Sequence, residues 1–276
     1  MINIGLTSFH EHGQLLNKNK LSLAEYASFF PIIELNTSFY GIKTSETSQK
    51  WCEQTPDRFQ FIIKAYQSMT KHSDWQDNYG SEKEMYQAFH EFIAPLKQAN
   101  KLAAILCQFP GYFDCSKENV NWLRRLRQWF PDDMLAIELR HASWYSERNQ
   151  SGMLEFMKSH HFSLVIVDEP QVPIRSVPFL PVVTNQKFVY FRLHGRNKGN
   201  WLDTTEDWRK KRNLYCYSET EIYQLSEQLE KLHDAQCVAV IFNNNSAGDA
   251  GPNALTLKKQ LDIDYSGLNP NQLSLF

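Results

Sequence analysis

The sequence lacks the cysteine pairs that mark disulfide frameworks and metal-binding ribbons. No two of its cysteines form a CxxC pair. This spacing excludes a zinc ribbon and a thioredoxin-type motif, and it favours a reducing compartment. The five cysteines are spread along 276 residues, at Cys52, Cys107, Cys115, Cys216 and Cys237.

Long apolar runs and a charge imbalance are also missing. No segment approaches the roughly 18 apolar residues of a membrane-spanning helix. The first residues, "MINIGLTSFHEHG", lack the charged region and apolar stretch of a signal peptide. A formal net charge of −2 argues against nucleic-acid or membrane binding by the whole surface, although a local basic patch is compatible with it. We therefore expect a soluble, cytoplasmic protein with no membrane partner.

What the sequence does contain is eight short apolar runs separated by helical patterns. The runs are continuous rather than alternating, which is typical of strands buried on both faces. They lie at 2–9, 32–40, 59–66, 101–110, 135–144, 163–170, 187–195 and 238–245. Apolar residues at helical spacing predict helices around 85–96 and 222–232, the second opened by the capping-box sequence "SETE". Further helices are predicted at 22–30, 44–54, 117–129, 150–160 and 252–262.

This alternation of strand and helix, repeated about eight times, predicts a TIM (β/α)₈ barrel over residues 1–264. One unit departs from the pattern. Residues 169–186 carry four prolines and cannot form a normal helix, so we predict an irregular, proline-rich crossover in place of the sixth helix. A doubly wound open sheet is the alternative, but it normally needs fewer strands.

Polar residues follow seven of the eight predicted strands. In a barrel these strand ends meet at one opening, where so many polar groups must pair with one another or hold a ligand. The candidates for acid–base catalysis, or for binding a divalent metal, are Glu34, Glu138, Asp168 and His194. The candidates for substrate binding are Lys64, Arg140, His141, Arg192, Arg196, Asn243, Asn244 and Trp201.

The candidate set has more cationic than acidic side chains, which predicts an anionic ligand such as a phosphate. The long loop at 195–217 also interleaves basic residues with aromatic rings, as in sites that hold nucleotides. The alternative is a lid whose aromatic rings pack on the barrel. A divalent metal is compatible with the two histidines and three carboxylates, but no HExxH or similar spacing supports it, so the cofactor and the identity of any metal stay open.

Several segments together resemble the YecE-like family, also called domain of unknown function 72. The resemblance covers about residues 2–262 and implies a TIM barrel, but it supplies no reaction. The family's first strand often reads G-T-S-G-W, whereas this chain has "GLTSF". A looser similarity links the architecture to endonuclease IV and xylose isomerase, yet the zinc-binding histidines of endonuclease IV are not visible here. The matching segments are "IIELNTSFY", "TSETSQKWCEQTPDRFQFIIKA", "QFP", "IELRHASW", "FRLHGR" and "IFNNNSAGDAGPNAL".

The last five residues resemble the pentapeptide with which bacterial polymerases and repair proteins bind the β sliding clamp. The amide of Gln272 would form hydrogen bonds at the rim of the clamp's apolar cleft, and the three large apolar side chains that follow would fill that cleft. The preceding residues, "YSGLNPN", are typical of a linker. We therefore predict a flexible tail at 265–276 that binds the clamp through Gln272, Leu273, Ser274, Leu275 and Phe276.

The leading hypothesis is a phosphodiesterase- or nuclease-like hydrolase that acts on DNA or a nucleotide-derived phosphate and is brought to replicated or repaired DNA by the clamp. The cationic side chains hold the phosphate, Glu138 or Asp168 acts as base, and His194 acts as acid or metal ligand. One alternative is a small-molecule enzyme acting on a sugar phosphate or another anionic carbohydrate. The other is a clamp-binding adaptor without catalysis.

Overall fold

A single sheet of parallel strands forms the centre of the molecule. The computed structural model describes residues 1–173, 175–202, 211–244 and 247–270. The strands, all parallel to their neighbours, are β1 (Ile2–Thr7), β2 (Ile32–Leu35), β3 (Gln60–Lys64), β4 (Leu102–Gln108), β5 (Leu135–Glu138), β6 (Ser163–Leu164), β7 (Ile166–Asp168), β8 (Val189–Leu193) and β9 (Val238–Phe242).

Helices connect most of these strands. Ser218 caps α8 in the capping box with Glu221 that the sequence predicts. The predicted strand at 32–40 is shorter than expected, because the chain turns into a helix once it passes the rim of the sheet. The helices of the described residues are α1 (Leu23–Tyr26), α2 (Thr37–Tyr40), α3 (Ser45–Glu53), α4 (Glu82–Gln98), α5 (Lys117–Trp129), α6 (Gln150–Ser159), α7 (Lys198–Trp201), α8 (Glu219–Glu230) and α9 (Ala250–Gln260).

The sheet closes into a barrel at its sixth strand position, which two short strands, β6 and β7, share. β6 pairs with β5, and β7, which follows after Val165, pairs with β8. The backbone N–H of Val165 donates to the carbonyl oxygen of Ile137 at 2.9 Å, so the two short strands run on as one. Eight strand positions therefore form the ring, and the predicted TIM barrel is confirmed.

Side chains facing the barrel interior alternate with side chains facing the helices. The interior contains a separate apolar cluster, which includes Ile32, Ile62, Leu106, Ala136, Tyr190 and Ile241. Because strand side chains repeat every two residues, the next inward position on each of these strands lies two residues further on. Those positions hold Glu34, Lys64, Gln108, Glu138, Arg192 and Asn243.

Two segments outside the strands and helices bear on the predicted organisation. Between Asp168 and Val189 the described residues form turns and irregular chain. In the segment predicted to be the tail, the hydroxyl of Tyr265 accepts from the Ile4 N–H at 2.8 Å. The amide of Asn269 donates to the carbonyl oxygens of Ala24 and Gln54 at 3.0 and 3.1 Å. These contacts attach the first part of that segment to the barrel.

Replacing Gly5 with alanine tests how closely β1 approaches β2. A Cβ atom at position 5 would lie 2.2 Å from the carbonyl oxygen of Ile32. Because backbone cannot move aside as a flexible side chain can, we expect Gly5→Ala to lower the free energy of unfolding by about 1–3 kcal/mol in urea titrations. Gly41→Ala is the matched control, since a Cβ atom added there would meet no atom of the described residues within 4 Å. Equal stabilities of the two variants would contradict this packing.

Candidate functional site

Arg192 is the centre of the polar layer at the carboxyl ends of the strands. Its guanidinium, 2% exposed, donates from Nε and Nη2 to the two carboxylate oxygens of Glu34 at 2.8 and 2.7 Å. Nη1 donates to Oε2 of Glu138 at 2.8 Å and to Oε1 of Gln108 at 2.7 Å. One side chain on β8 thus binds groups from β2, β4 and β5 across the barrel interior.

Glu34 and Glu138 are fully buried and ionised. Burial is the largest single influence and raises the pKa of each carboxyl, but the Arg192 charge and the other lowering contacts together outweigh it. Hydrogen bonds from Arg192 and from the Tyr190 hydroxyl also help lower the pKa of Glu34. The pKa of Glu138 falls well below its ordinary value, with His194 and Arg140 contributing. Carboxylates held in this way are weak bases, so the general-base role predicted for Glu138 does not fit the geometry.

A second polar layer lies one step further out. Arg140 donates from Nη1 to Oε1 of Glu138 at 3.0 Å, and its Nη2 lies 2.6 Å from Oε2 of Glu169. Glu169 also accepts from the backbone N–H of Val177 at 2.8 Å. Burial raises the pKa of Glu169 despite the attraction of Arg140. Sequence reasoning missed Glu169, because it follows the strand end and lies within the proline-rich segment.

His194 is oriented by an amide and a hydroxyl. Its Nδ1 lies 2.8 Å from Nδ2 of Asn243, and Oδ1 of that amide lies 2.7 Å from the Thr7 hydroxyl. With Nδ1 accepting from the amide, the neutral ring carries its proton on Nε2, 3.5 Å from Oε1 of Glu138. Burial lowers the pKa of His194 to about 4, although Glu138 opposes the shift. The ring is therefore a neutral hydrogen-bond donor at pH 7.

Above these layers lies a cavity of about 230 Å³ whose walls are rich in cations. Of the described residues, four basic side chains and no carboxylate line it. The carboxylates that pair with Arg140 and Arg192 do not line the cavity, so the described charged side chains that face it are all cationic. The lining residues are Asn36, Lys64, Gln108, Arg140, Arg192, His194, Trp201, Arg212, Asn213 and Asn243.

Trp201 contacts two of these arginines. The guanidinium carbons of Arg212 and Arg140 lie 3.6 and 5.3 Å from centroids of its ring system. Its indole N–H donates to the carbonyl oxygen of Arg175 at 3.1 Å, which ties α7 to the proline-rich segment. Burial and repulsion from Arg140 lower the pKa of Arg212 to about 10. The ring that sequence analysis assigned to ligand stacking therefore stacks on guanidinium groups.

Besides Glu34 and Glu138, four predicted site residues do not line the cavity and serve the structure around it. Arg196 lies 3.0 Å from both oxygens of Asp168, which also accepts from the Tyr217 hydroxyl at 2.6 Å. His141 caps the turn at Ala142–Tyr145 through the backbone N–H of Ser143. The amide of Asn244 donates to the carbonyl oxygen of Tyr215 at 2.8 Å. A paired Asp168 is not available as the predicted base.

The remaining predictions concern metal and partner binding. No group of three or more histidine, cysteine or acidic side chains within the described ranges is placed to hold a metal ion. The residues at 272–276 that the sequence predicts to bind the clamp lie outside the described part of the chain. Among the helices that are described, none has the length and apolar content needed to cross a bilayer.

Comparisons with known proteins place this barrel among close relatives. A family model described as "Protein of unknown function DUF72" matches residues 3–274. UPF0759 protein YunF of Bacillus subtilis (strain 168) is 42% identical over 283 residues, covering 100% of both chains. The crystal structure of a DUF72 family protein (EF0366) from Enterococcus faecalis V583 is 50% identical, with a TM-score of 0.96 over 99% of this chain and 100% of that one. A D-psicose 3-epimerase from Clostridium cellulolyticum H10 has a TM-score of 0.50 at 9% identity, over 94% of this chain and 97% of that one, which shows the shared fold alone.

The buried, neutral His194 predicts a specific dependence of stability on pH. Its pKa is 6.5 in the unfolded chain and about 4 in the folded protein, so between these values the unfolded state binds more protons. Stability is therefore expected to fall as pH decreases from about 6.5 to about 4, by up to ~1.4 kcal/mol per pH unit from this group. Urea unfolding of wild type and His194→Asn across this range measures the difference. His12 and His72, whose pKa values are also lowered, contribute equally to both proteins. Identical slopes would show that His194 is not held neutral.

Proposed function

Because the chain belongs to the DUF72 family of proteins of unknown function, we propose its function from the cavity at the strand ends. The protein is an enzyme that binds a phosphate ester derived from DNA or a nucleotide and acts on it in this cavity. The supporting observation is a wall of four basic side chains, of which Arg140 and Arg192 pair with carboxylates that lie outside the cavity.

This arrangement suits a phosphate because the donors are in place before the ligand arrives. Ion pairs with Glu34, Glu138 and Glu169 hold Arg192 and Arg140 in fixed orientations. Fixed donors lose little freedom on binding, and charge-assisted hydrogen bonds to phosphate oxygens are strong. A phosphate would also relieve the mutual repulsion of the cations that line the cavity.

The proposal gives new roles to several predicted residues. Glu34 and Glu138 act as counterions that position the arginines, and His194 offers its Nε2–H as a neutral donor. These assignments follow from the saturation of both carboxylates by Arg192 and, for Glu138, by Arg140.

The size of the cavity favours a second candidate, an enzyme acting on a small sugar phosphate. A volume of about 230 Å³ is below the ~300–1,000 Å³ of common ligand pockets. It suits one phosphate with a small attached group. A nucleic acid would place only a single phosphate or one extruded residue in it.

Phosphate binding is tested with Arg212→Gln. Loss of a charge-assisted hydrogen bond costs about 1.5–3 kcal/mol, so we expect pyrophosphate to bind this variant at least about tenfold more weakly in calorimetric titrations. Arg124→Gln is the control, since Arg124 is an exposed residue of α5 that bonds to Asn121. Wild-type protein that binds no pyrophosphate, or two variants with equal affinity, would contradict the proposal.

We further propose that the last five residues dock on the β sliding clamp and bring the enzyme to DNA. The barrel domain at 1–264 and the tail at 265–276 remain the proposed division. Asn269 is anchored to the barrel by its N–H, which donates to the Ala27 carbonyl oxygen at 3.0 Å, and by its side chain. This anchor supports a docking segment that begins after Asn269. If the clamp binds but the cavity takes no phosphate, the alternative of a non-catalytic adaptor is favoured.

Deleting residues 272–276 tests the docking. Three apolar side chains in a cleft, after the cost of ordering a tail, correspond to a Kd on the order of 1 μM. We expect surface plasmon resonance with an immobilised bacterial β clamp to show binding by the full chain and none by the truncated chain. Pyrophosphate binding is expected to survive the truncation. Equal clamp binding by both chains would rule out the tail as the docking element.

A further inference from the structure

Lys64 is bonded differently from its neighbours in the cavity wall. Arg140 and Arg192 each pair with two carboxylates. Within the described ranges no carboxylate oxygen lies within 4 Å of the Lys64 amine, whose hydrogen bond is to Oε1 of Gln108 at 3.2 Å. That oxygen also accepts from Arg192 at 2.7 Å. The amine thus has spare hydrogen-bonding capacity and lines the cavity.

The surroundings of this amine disfavour its charged form. Lys64 occupies the inward position that follows Ile62 on β3, and its Nζ lies 4.3 Å from the centroid of the Phe39 ring. That cation–π contact favours the ammonium form, so the neutral form is promoted by burial and by neighbouring cations. Burial and the nearby charge of Arg192 lower the pKa of Lys64 to about 8. An appreciable fraction of the protein therefore carries a neutral amine near neutral pH. A desolvated neutral lysine among cations is the form in which lysine acts as a nucleophile toward carbonyl groups.

We propose that Lys64 is the catalytic nucleophile of this site and forms an imine with an aldehyde or ketone carried by a phosphate ester. This inference rests on the proposed phosphate site and adds the substrate class. The amine lone pair attacks the carbonyl carbon, and a proton passes from nitrogen to oxygen to give a carbinolamine. Loss of water then forms the C=N bond, so the step needs no oxidant, reductant or metal. Arg140 and Arg212 hold the phosphate in the same cavity.

Two sources provide this chemistry. One is a free sugar phosphate with an open aldehyde or ketone. The other is the ring-opened deoxyribose of a base-less position in DNA, where an aldehyde lies between two phosphates.

Reductive trapping tests the proposal in two arms. The full chain is incubated with glyceraldehyde 3-phosphate, or with a DNA oligonucleotide that contains one abasic site, and reduced with sodium borohydride. Intact-mass and peptide-mass spectrometry are expected to find an adduct on Lys64. Its yield should rise between pH 7 and pH 9, as the amine loses its proton. An adduct in one arm alone supports the proposal and identifies the source.

Matched variants distinguish the nucleophilic role of the Lys64 amine from the effect of its positive charge. Lys64→Arg keeps a positive charge but removes the nucleophilic amine, so its adduct yield is expected to fall at least tenfold. Lys71→Met is the control. Lys71 also follows β3, but its amine pairs with Glu118 at 2.6 Å. The adduct yield of this variant should equal that of the wild type. Equal adduct on Lys64→Arg, or equal yield with unphosphorylated glyceraldehyde, would overturn the proposal. Pyrophosphate binding without any adduct in either arm would overturn the imine while the proposed function stands, whereas absent pyrophosphate binding contradicts the proposed function itself.

Discussion

The buried interaction of Arg192 with Glu34 and Glu138 is the constraint on which the rest of the site depends. Three charges in the barrel interior lose their hydration, and only close, well-aligned pairing offsets that cost. The pairing fixes the direction of the guanidinium and leaves both carboxylates without basicity. It also assigns the outer layer its role, because Arg140 completes the bonding of Glu138 and presents its charge to the cavity. The proposed chemistry therefore falls to Lys64, which joins this network only through Gln108.

The sequence predicted the fold and the position of the site because both depend on local patterns. Continuous apolar runs identified buried strands, and strands of a barrel deliver their ends to one opening. Lys64, Arg192 and His194 were therefore found from the sequence alone. Asp168 and Arg196 were assigned to the same opening, yet they pair with each other beside it. That outcome depends on side-chain directions and distant partners, which no spacing along the chain encodes.

The comparisons with known proteins likewise show the fold of this chain but not its function. Close relatives share the whole architecture, and an epimerase at 9% identity shares it too, so the barrel itself identifies no reaction. The proposed activity rests instead on which side chains face the cavity and on how each is paired. The sequence does not show that Glu138 is a counterion, that His194 is a neutral donor, or that Lys64 has no ion pair within the described residues. Only the contacts of each side chain distinguish these roles.

The divided sixth strand has a mechanical consequence for this site. β6 and β5 share two residue pairs and β7 and β8 share three, whereas β1 and β9 share five. The strand pairing of the barrel is thus weakest around β6 and β7, which is where local opening of the barrel would start. Asp168 and Glu169, which emerge directly above these two strands, hold Arg196 and Arg140. Of the two guanidinium groups held in this way, Arg140 lines the cavity and Arg196 lies outside it. Local opening between β6 and β7 would therefore reach the cavity wall through Glu169 and Arg140, on the side of the segment between Asp168 and Val189.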